Sequence, residues 1–198
     1  MKKALLNFKT LLLVCLLIAV GGANAWAADN VTDISNIVSG QKYYICSSNT
    51  SGTYYLKLAS TSLPSSVKGT GVKDKANANI FVFDGNGSSW TIKIDGTDYY
   101  LSLKNGDDKG KVQIVKSAAN FTLSNQTKNQ TNLIRISKGS YSIQLNNQHP
   151  NFGSYDNKQK DVWLEPVESS STKTATTLTF PQNSFTFSTT DDLTSFKG

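Results

Sequence analysis

Apolar and polar residues alternate along most of this chain, which is the pattern of β-strands with one buried face. Residues 90–94 alternate in this way, an Asp-Gly turn signal follows at 95–96, and the alternation resumes over 99–103. No helical periodicity appears beyond the first 27 residues. The pattern predicts an all-β protein assembled from hairpins.

One alternating phrase occurs three times, an aromatic residue followed by two aliphatic residues at every second position. Its copies begin at Tyr54, Tyr99 and Tyr141, which are 45 and 42 residues apart. Similarity at such a period indicates one supersecondary unit repeated three times, each copy needing the others to bury its apolar face. The first aliphatic positions of the three copies, which we expect to meet in one core, are Leu56, Leu101 and Ile143.

Each copy is predicted to contain a hairpin, a polar loop and a closing strand. The closing strands are expected at residues 80–83, 120–124 and 161–165, and the first copy carries a longer turn and a longer loop over 60–71. Three such units around an axis close a sheet on itself and remove its exposed edges. A two-layer sandwich explains the number of strands equally well, but not the threefold phrase. We therefore favour a pseudo-threefold β-barrel of β-trefoil-like type over residues 28–168.

The first 27 residues have the pattern of a secretory signal peptide. Three lysines precede an apolar run over 11–20, and small residues with an Ala-x-Ala pattern follow. Ten apolar residues are too few for a transmembrane segment, which needs about 20. We therefore expect residues 1–27 to be a signal peptide, and the protein to be exported to the cell surface or beyond.

Loss of this segment changes the charge balance of the chain. The formal charge of +6 falls to +3, because three of the 20 basic residues leave and 17 remain against 14 acidic ones. That excess is too mild to indicate nucleic acid as a partner, and Arg135 is the one arginine available for base recognition. Cys46 would be the one cysteine left, so we expect no internal disulfide.

Composition changes after Glu168. Residues 169–177 are rich in Ser and Thr and are predicted to be a linker. Alternation resumes over 178–198, but two short strands cannot bury a core alone. We expect an incomplete domain there, so that residues 28–168 would be a monomeric module of a larger protein.

The segment from Gly40 to Val167 resembles a repeated β domain of exported multidomain proteins from gut anaerobes. The resemblance rests on short motifs, and the matching residues are Tyr141, Asn146, Phe152, Tyr155, Gln159 and the run Val162-Trp163-Leu164. The segment 177–198 looks like the opening of a bacterial immunoglobulin-like domain. In such proteins these pieces are non-catalytic surface or binding modules. The pattern is also similar to β-trefoil lectins, but no copy contains the Gln-x-Trp of the ricin type, so its galactose sites cannot be transferred.

The candidate binding surface is an amide-rich loop in the third copy, within residues 144–156. Sugar recognition needs planar amides and carboxylates for the hydroxyls and an aromatic face for the C–H side of the ring. We predict that Tyr155 or Trp90 supplies the aromatic face. The alternative is that this composition only serves a long turn. The candidate ligand-binding residues are Asn146, Asn147, Gln148, His149, Asn151, Tyr155 and Asp156.

Enzymatic and metal-binding patterns are weak, so we expect no catalytic residue, no cofactor and no metal site. Glycoside hydrolysis needs two placed carboxyl groups, and the two glutamates, Glu165 and Glu168, lie at the end of the domain. The run from Asp84 to Asp95 lacks the Gly and Glu positions of a calcium loop and reads as a tight turn. Cys46 follows the strand pattern and is predicted to be a buried thiol rather than a nucleophile.

These observations favour a non-catalytic binding module with carbohydrate as ligand. The alternative is a structural spacer or adhesion module that accompanies a catalytic domain encoded downstream, and a protease inhibitor suits the same barrel. The expected partners are glycans or a surface protein.

Overall fold

The computed structural model describes residues 30–63, 66–104 and 110–168, together with the backbone of two further strands. The predicted signal peptide lies outside these residues, as do most of the predicted linker and most of the segment 178–198. Asp29–Val167 forms one compact unit.

The described chain is all-β, as predicted. Twelve strands belong to one sheet, and two 3-10 turns, Ile34–Asn36 and Lys75–Asn77, accompany them. The strands are β1 (Lys42–Asn49), β2 (Gly52–Leu58), β3 (Ser66–Val72), β4 (Phe81–Asn86), β5 (Ser89–Ile94), β6 (Tyr100–Ser102), β7 (Lys111–Val115), β8 (Phe121–Lys128), β9 (Thr131–Lys138), β10 (Tyr141–Leu145), β11 (Asn151–Tyr155) and β12 (Trp163–Pro166).

Six of these strands pair side by side into a ring. β1 pairs with β4, β4 with β5, β5 with β8, and β8 with β9. β9 meets the residue before β12 through a bridge between Ile134 and Val162, and β12 pairs with β1. A closed ring has no free edge strand, so the sheet is held without a disulfide, and Cys46 is a buried free thiol.

The other six strands form three antiparallel pairs, β2–β3, β6–β7 and β10–β11, which meet at β3. β3 pairs with both β7 and β11. The backbones approach closely there, because a Cβ on Gly153 would lie 2.5 Å from the backbone nitrogen of Gly110, and one on Gly69 would lie 2.5 Å from the carbonyl oxygen of Phe152. Glycine at these positions lets the three pairs come together.

Alternate residues of the strands fill one hydrophobic core. Leu56, Leu101 and Ile143, the three positions that the repeat predicts to meet, are fully buried in the same cluster. Tyr43 packs edge-on against Phe83 with ring centroids 5.5 Å apart. Burial of one leucine or isoleucine side chain stabilises the fold by about 1.5–3 kcal/mol. The aliphatic residues of the repeated phrase therefore contribute substantially to the stability of the core.

Strand positions differ from the prediction in each of the three copies. The loops expected over 60–71 and 144–156 hold β3 and β11, and β7 is a further strand that was not predicted. The first hairpin has a two-residue turn, Thr50–Ser51, rather than a longer one. β3 was missed because its inward positions, opposite Leu58 and Leu56, are Gly69 and Gly71. In β11 the inward positions are Phe152 and Ser154, of which only the first is a large apolar residue.

Two strands lie beyond residue 168, β13 (Thr176–Thr179) and β14 (Ser184–Phe187), and they pair antiparallel. The last two residues of the predicted linker, 176 and 177, belong to β13. Within the described residues, no helix has the length and apolar character to cross a membrane.

Replacement of Gly153 by alanine tests the close approach of the three strand pairs. We expect Gly153→Ala to lower the free energy of unfolding by about 1–3 kcal/mol, because the added methyl group forces the backbones apart. Chemical denaturation monitored by tryptophan fluorescence measures this change.

Ser154→Ala is the matched control at the next position. Within the described structure the Ser154 hydroxyl is buried without a hydrogen-bond partner, so its removal should leave stability unchanged or raise it. Equal destabilisation by both changes would contradict the close-approach account.

Candidate functional site

Within the predicted amide-rich loop, 144–156, only residues 146–150 form the connection between β10 and β11. This connection is called the amide-rich loop below. The side-chain oxygen of Asn146 accepts hydrogen bonds from the backbone N–H groups of Gln148 and His149, at 2.9 and 3.0 Å. An asparagine that bonds to its own following backbone mimics a turn. Asn146 therefore shapes the loop with its side chain rather than presenting it to solvent.

Neighbouring elements hold the loop from two further sides. The side-chain amide of Asn49, at the end of β1, donates to the carbonyl oxygens of Asn146 and His149 at 2.9 and 3.2 Å. The side-chain oxygen of Gln159 accepts the backbone N–H of Asn147 at 2.8 Å. These hydrogen bonds fix the conformation of the loop.

The outer side of this loop is polar. Gln148 and His149 are exposed, and within the described residues their side chains make no hydrogen bond. Asn147 and Asn151 are partly exposed, and the Asn147 amide donates to the carbonyl oxygen of Lys158 at 3.2 Å. Asp156 is exposed and its carboxylate lies 2.6 Å from the Lys158 ammonium group. The predicted residues are therefore brought near one another, but only some present their side chains outward.

Neither predicted stacking ring fits its assigned role. Tyr155 and Trp90 are each 3% exposed. The Tyr155 hydroxyl donates to the carbonyl oxygen of Asn151 at 3.4 Å, and the Trp90 indole donates to that of Gly87 at 2.9 Å. Both rings are part of the protein interior, so a stacking role for them is wrong. Alternation in β5 places Trp90 on the core face with Ile92 and Ile94. Tyr155 lies on the opposite face of β11, across from Ser142, and is buried there.

A buried carboxylate lies just before β12 and was not foreseen as a key residue. Asp161 is 1% exposed and receives two hydrogen bonds from the Arg135 guanidinium, at 3.0 and 2.9 Å. The Gln144 amide donates to it at 2.7 Å, and the Lys128 ammonium lies 3.0 Å away. Its backbone oxygen accepts the Ser47 hydroxyl at 2.8 Å. Bidentate pairing of this kind fixes orientation as well as charge.

The pKa of Asp161 reflects these partners. Burial by itself raises the pKa, but hydrogen bonds from Arg135, Lys128 and Gln144 outweigh it and hold the pKa below its usual value. The carboxyl is therefore ionised at neutral pH. Since Gln144 also accepts a hydrogen bond from the backbone N–H of Gln159 at 3.3 Å, the cluster supports the segment that holds the amide-rich loop.

Sequence patterns gave little signal for this cluster. Arg135 stands out as the one arginine of the chain, but its partner Asp161 is 26 residues away. Gln144 was read as a loop residue, although it belongs to β10 and is fully buried. Only the pairing of β9 with β10 and of Ile134 with Val162 brings these groups together.

The weaker candidates resolve into structural roles. The run from Asp84 to Asp95 spans the β4–β5 hairpin and the turn after it, in agreement with the turn interpretation. Burial raises the pKa of the Cys46 thiol far above its ordinary value, so it stays protonated at neutral pH. Among the described residues, no three His, Cys, Asp or Glu side chains are grouped so that they could hold a metal ion.

Known proteins resemble this chain in structure. No protein-family model and no curated protein matches the chain. Among solved structures it is similar to the ricin B-like lectin of Macrolepiota procera in complex with lactose, with a TM-score of 0.49 and 17% identity, over 66% of this chain and 98% of that one. A likeness of that size assigns neither ligand nor site to this chain.

Replacement of Asp161 by asparagine tests the buried cluster. We expect Asp161→Asn to lower the free energy of unfolding at pH 7 by about 2–4 kcal/mol, because Arg135 loses its paired charge. A lowered folded pKa means that this stabilisation is present above the unfolded pKa, about 4, and is lost as the pH falls through the folded value. The difference between the two proteins should therefore shrink below pH 4, as measured by urea unfolding across pH.

Asp98→Asn serves as the surface control. Asp98 has a fully exposed side chain and one ion pair with Lys93 at 3.4 Å, so the change should leave unfolding unaltered at every pH. A stability difference for Asp161→Asn that stays constant down to pH 2 would contradict the assigned charge state.

Proposed function

We propose that residues 28–168 form a pseudo-threefold barrel of β-trefoil-like type. The support is the repetition of pairings along the chain. The first ring strand of each copy, β1, β5 and β9, pairs with the strand that follows it, and β1 and β5 also pair with the closing strand of their copy. In the third copy the bridge between Ile134 and Val162 occupies that place.

We infer that this barrel is a non-catalytic binding module for carbohydrate, exported to the cell surface or beyond. One observation carries the inference: the amide-rich loop is held rigidly by Asn49, Asn146 and Gln159, while Gln148 and His149 point their polar groups outward. Amide and imidazole groups fixed in space suit sugar hydroxyls, because little freedom is lost on binding. The segments 1–27 and 178–198 are interpreted as a signal peptide and as the start of an immunoglobulin-like domain, as in proteins of gut anaerobes.

A structural spacer is the second candidate. It is favoured by the same hydrogen bonds. The side-chain oxygens of Asn146 and Gln159 already accept hydrogen bonds from the loop backbone, so they need no ligand. The two candidates differ in what the exposed side chains do. In a spacer, Gln148 and His149 contribute nothing beyond solubility.

A glycan array with the full-length chain separates these functions. We expect binding to at least one glycan class when mucin-type, plant cell-wall and bacterial surface glycans are displayed densely enough for millimolar affinities to register through multivalency. Gln148→Ala and His149→Ala should each reduce the signal about tenfold, which corresponds to about 1.4 kcal/mol.

Asn132→Ala is the matched control, because it removes an exposed amide from β9, on a different hairpin. It should leave the array signal unchanged. Thermal unfolding of all three variants should match the parent chain. Full retention of glycan signal by both loop variants would refute the assigned loop, and absence of any signal would favour the spacer.

A further inference from the structure

A second surface with sugar-binding chemistry lies on the outer side of β1, β2 and β12. Strand register places Tyr44 opposite Glu165, and Cys46 opposite both Trp163 and Tyr55. Directly opposed residues of neighbouring strands share one face of a sheet. Since Tyr43 and Ile45 fill the core, the residues that alternate with them belong to the outer face. We call Tyr44, Tyr55, Lys75, Trp163 and Glu165 the outer patch.

Aromatic rings form the body of the outer patch. Tyr44, Tyr55 and Trp163 are all partly exposed. The Tyr44 and Tyr55 rings meet edge-on with centroids 5.9 Å apart. Cys46 lies between Trp163 and Tyr55 and is fully buried, so neighbouring side chains cover it. The surface beneath the three rings is therefore formed by packed side chains.

A carboxylate is fixed beside these rings. One oxygen of Glu165 accepts the Tyr55 hydroxyl at 2.9 Å, and the other lies 2.6 Å from the Lys75 ammonium. Burial, and then the hydrogen bond to Glu165, raise the pKa of Tyr55 to about 12, so this hydroxyl remains a donor at neutral pH. A carboxylate has about four acceptor sites, which leaves capacity for ligand hydroxyls. Within the described residues the Tyr44 hydroxyl makes no hydrogen bond.

The size and charge of the outer patch indicate the class of ligand. Three neighbouring strands span about 10 Å, the width of one or two pyranose rings, whereas a stable protein interface needs about 800 Å² on each partner. Lys75 balances the charge of Glu165, so the patch attracts neither anions nor cations strongly. Flat rings beside a fixed carboxylate match a ring-shaped ligand that has a C–H face and a rim of hydroxyls.

The outer patch lies where the first copy meets β12: Tyr44, Tyr55 and Lys75 belong to the first copy, and Trp163 and Glu165 belong to the closing strand of the third. Tyr100 occupies the corresponding position in the second copy, and its cross-strand neighbours are Lys93 and Val115. In the third copy the position is Ser142, which is buried and hydrogen-bonded to Ser137. Among the described residues of these two copies, no outward ring is paired with a carboxylate, so Tyr100 is a natural control residue.

We propose that the outer patch is a carbohydrate-binding site separate from the amide-rich loop, with a pyranose stacked on Tyr44 and Trp163 and its hydroxyls held by Glu165. The ligand class is the one named in the proposed function, but the site stands on its own contacts. It would make the module bivalent, and two weak sites on one barrel strengthen attachment to a repeated glycan without a new contact.

Patch variants of the full-length chain, applied to the same glycan array, test the proposal. We expect Tyr44→Ala, Trp163→Ala and Glu165→Gln each to lower the signal for at least one glycan at least tenfold, while Tyr100→Ala leaves it unchanged. Glu165→Gln keeps the size of the side chain, so it reports on the charge if Trp163→Ala fails to fold. Thermal unfolding identifies variants that have lost structure.

Tryptophan fluorescence gives a second readout. Trp163 is partly exposed and Trp90 is buried, so a stacked sugar should shift the Trp163 emission. The shift should be present in Gln148→Ala and absent in Glu165→Gln.

The outcomes separate the two sites. If only the loop variants lose glycan signal, the outer patch is overturned and the proposed function is kept. If only the patch variants lose it, the amide-rich loop is overturned as the site and carbohydrate binding is kept. Equal loss in Tyr100→Ala, or capture of proteins but of no glycan by the parent chain, also overturns the patch.

Discussion

Closure of the ring depends on β12, which has only four residues and must hold β1 on one side and β9 on the other. Its pairing with β1 is regular, but its link to β9 is a single bridge between Ile134 and Val162. Asp161, one residue before Val162, adds hydrogen bonds to both neighbouring strands. Its carboxylate is tied to Arg135 of β9, and its backbone oxygen is tied to Ser47 of β1. A buried ion pair is weak evidence for stability in general, but fixing a strand register is its best-attested use.

The fold class and the core could be predicted from the sequence, because a strand with one buried face shows alternating apolar and polar residues. Leu56, Leu101 and Ile143 repeat at the same place in the phrase, and all three are fully buried in one cluster. The hairpin across residues 95–96 was predicted for the same reason.

β3 was missed because two of its inward positions are Gly69 and Gly71, where neighbouring atoms already fill the space. β7 was missed although Val112 and Ile114 alternate in it and are buried. The prediction that Tyr155 stacks on a ligand failed for a different reason. Tyr155 was taken as a surface ring within a polar loop, but it lies in β11 across from Ser142 and is buried. Contacts between distant strands, such as Arg135 with Asp161, leave no local spacing to recognise.

Repetition also explains why the candidate sites do not recur in every copy. Inward positions must fill a shared core, so the three copies stay alike there. Outward positions carry no such constraint, and Tyr55, Tyr100 and Ser142 have accordingly become different. In the first copy the outward ring faces Glu165 and in the second it pairs with Lys93, whereas the third copy has a buried serine. The outward positions where the copies disagree are therefore those at which packing of the shared core does not fix the residue.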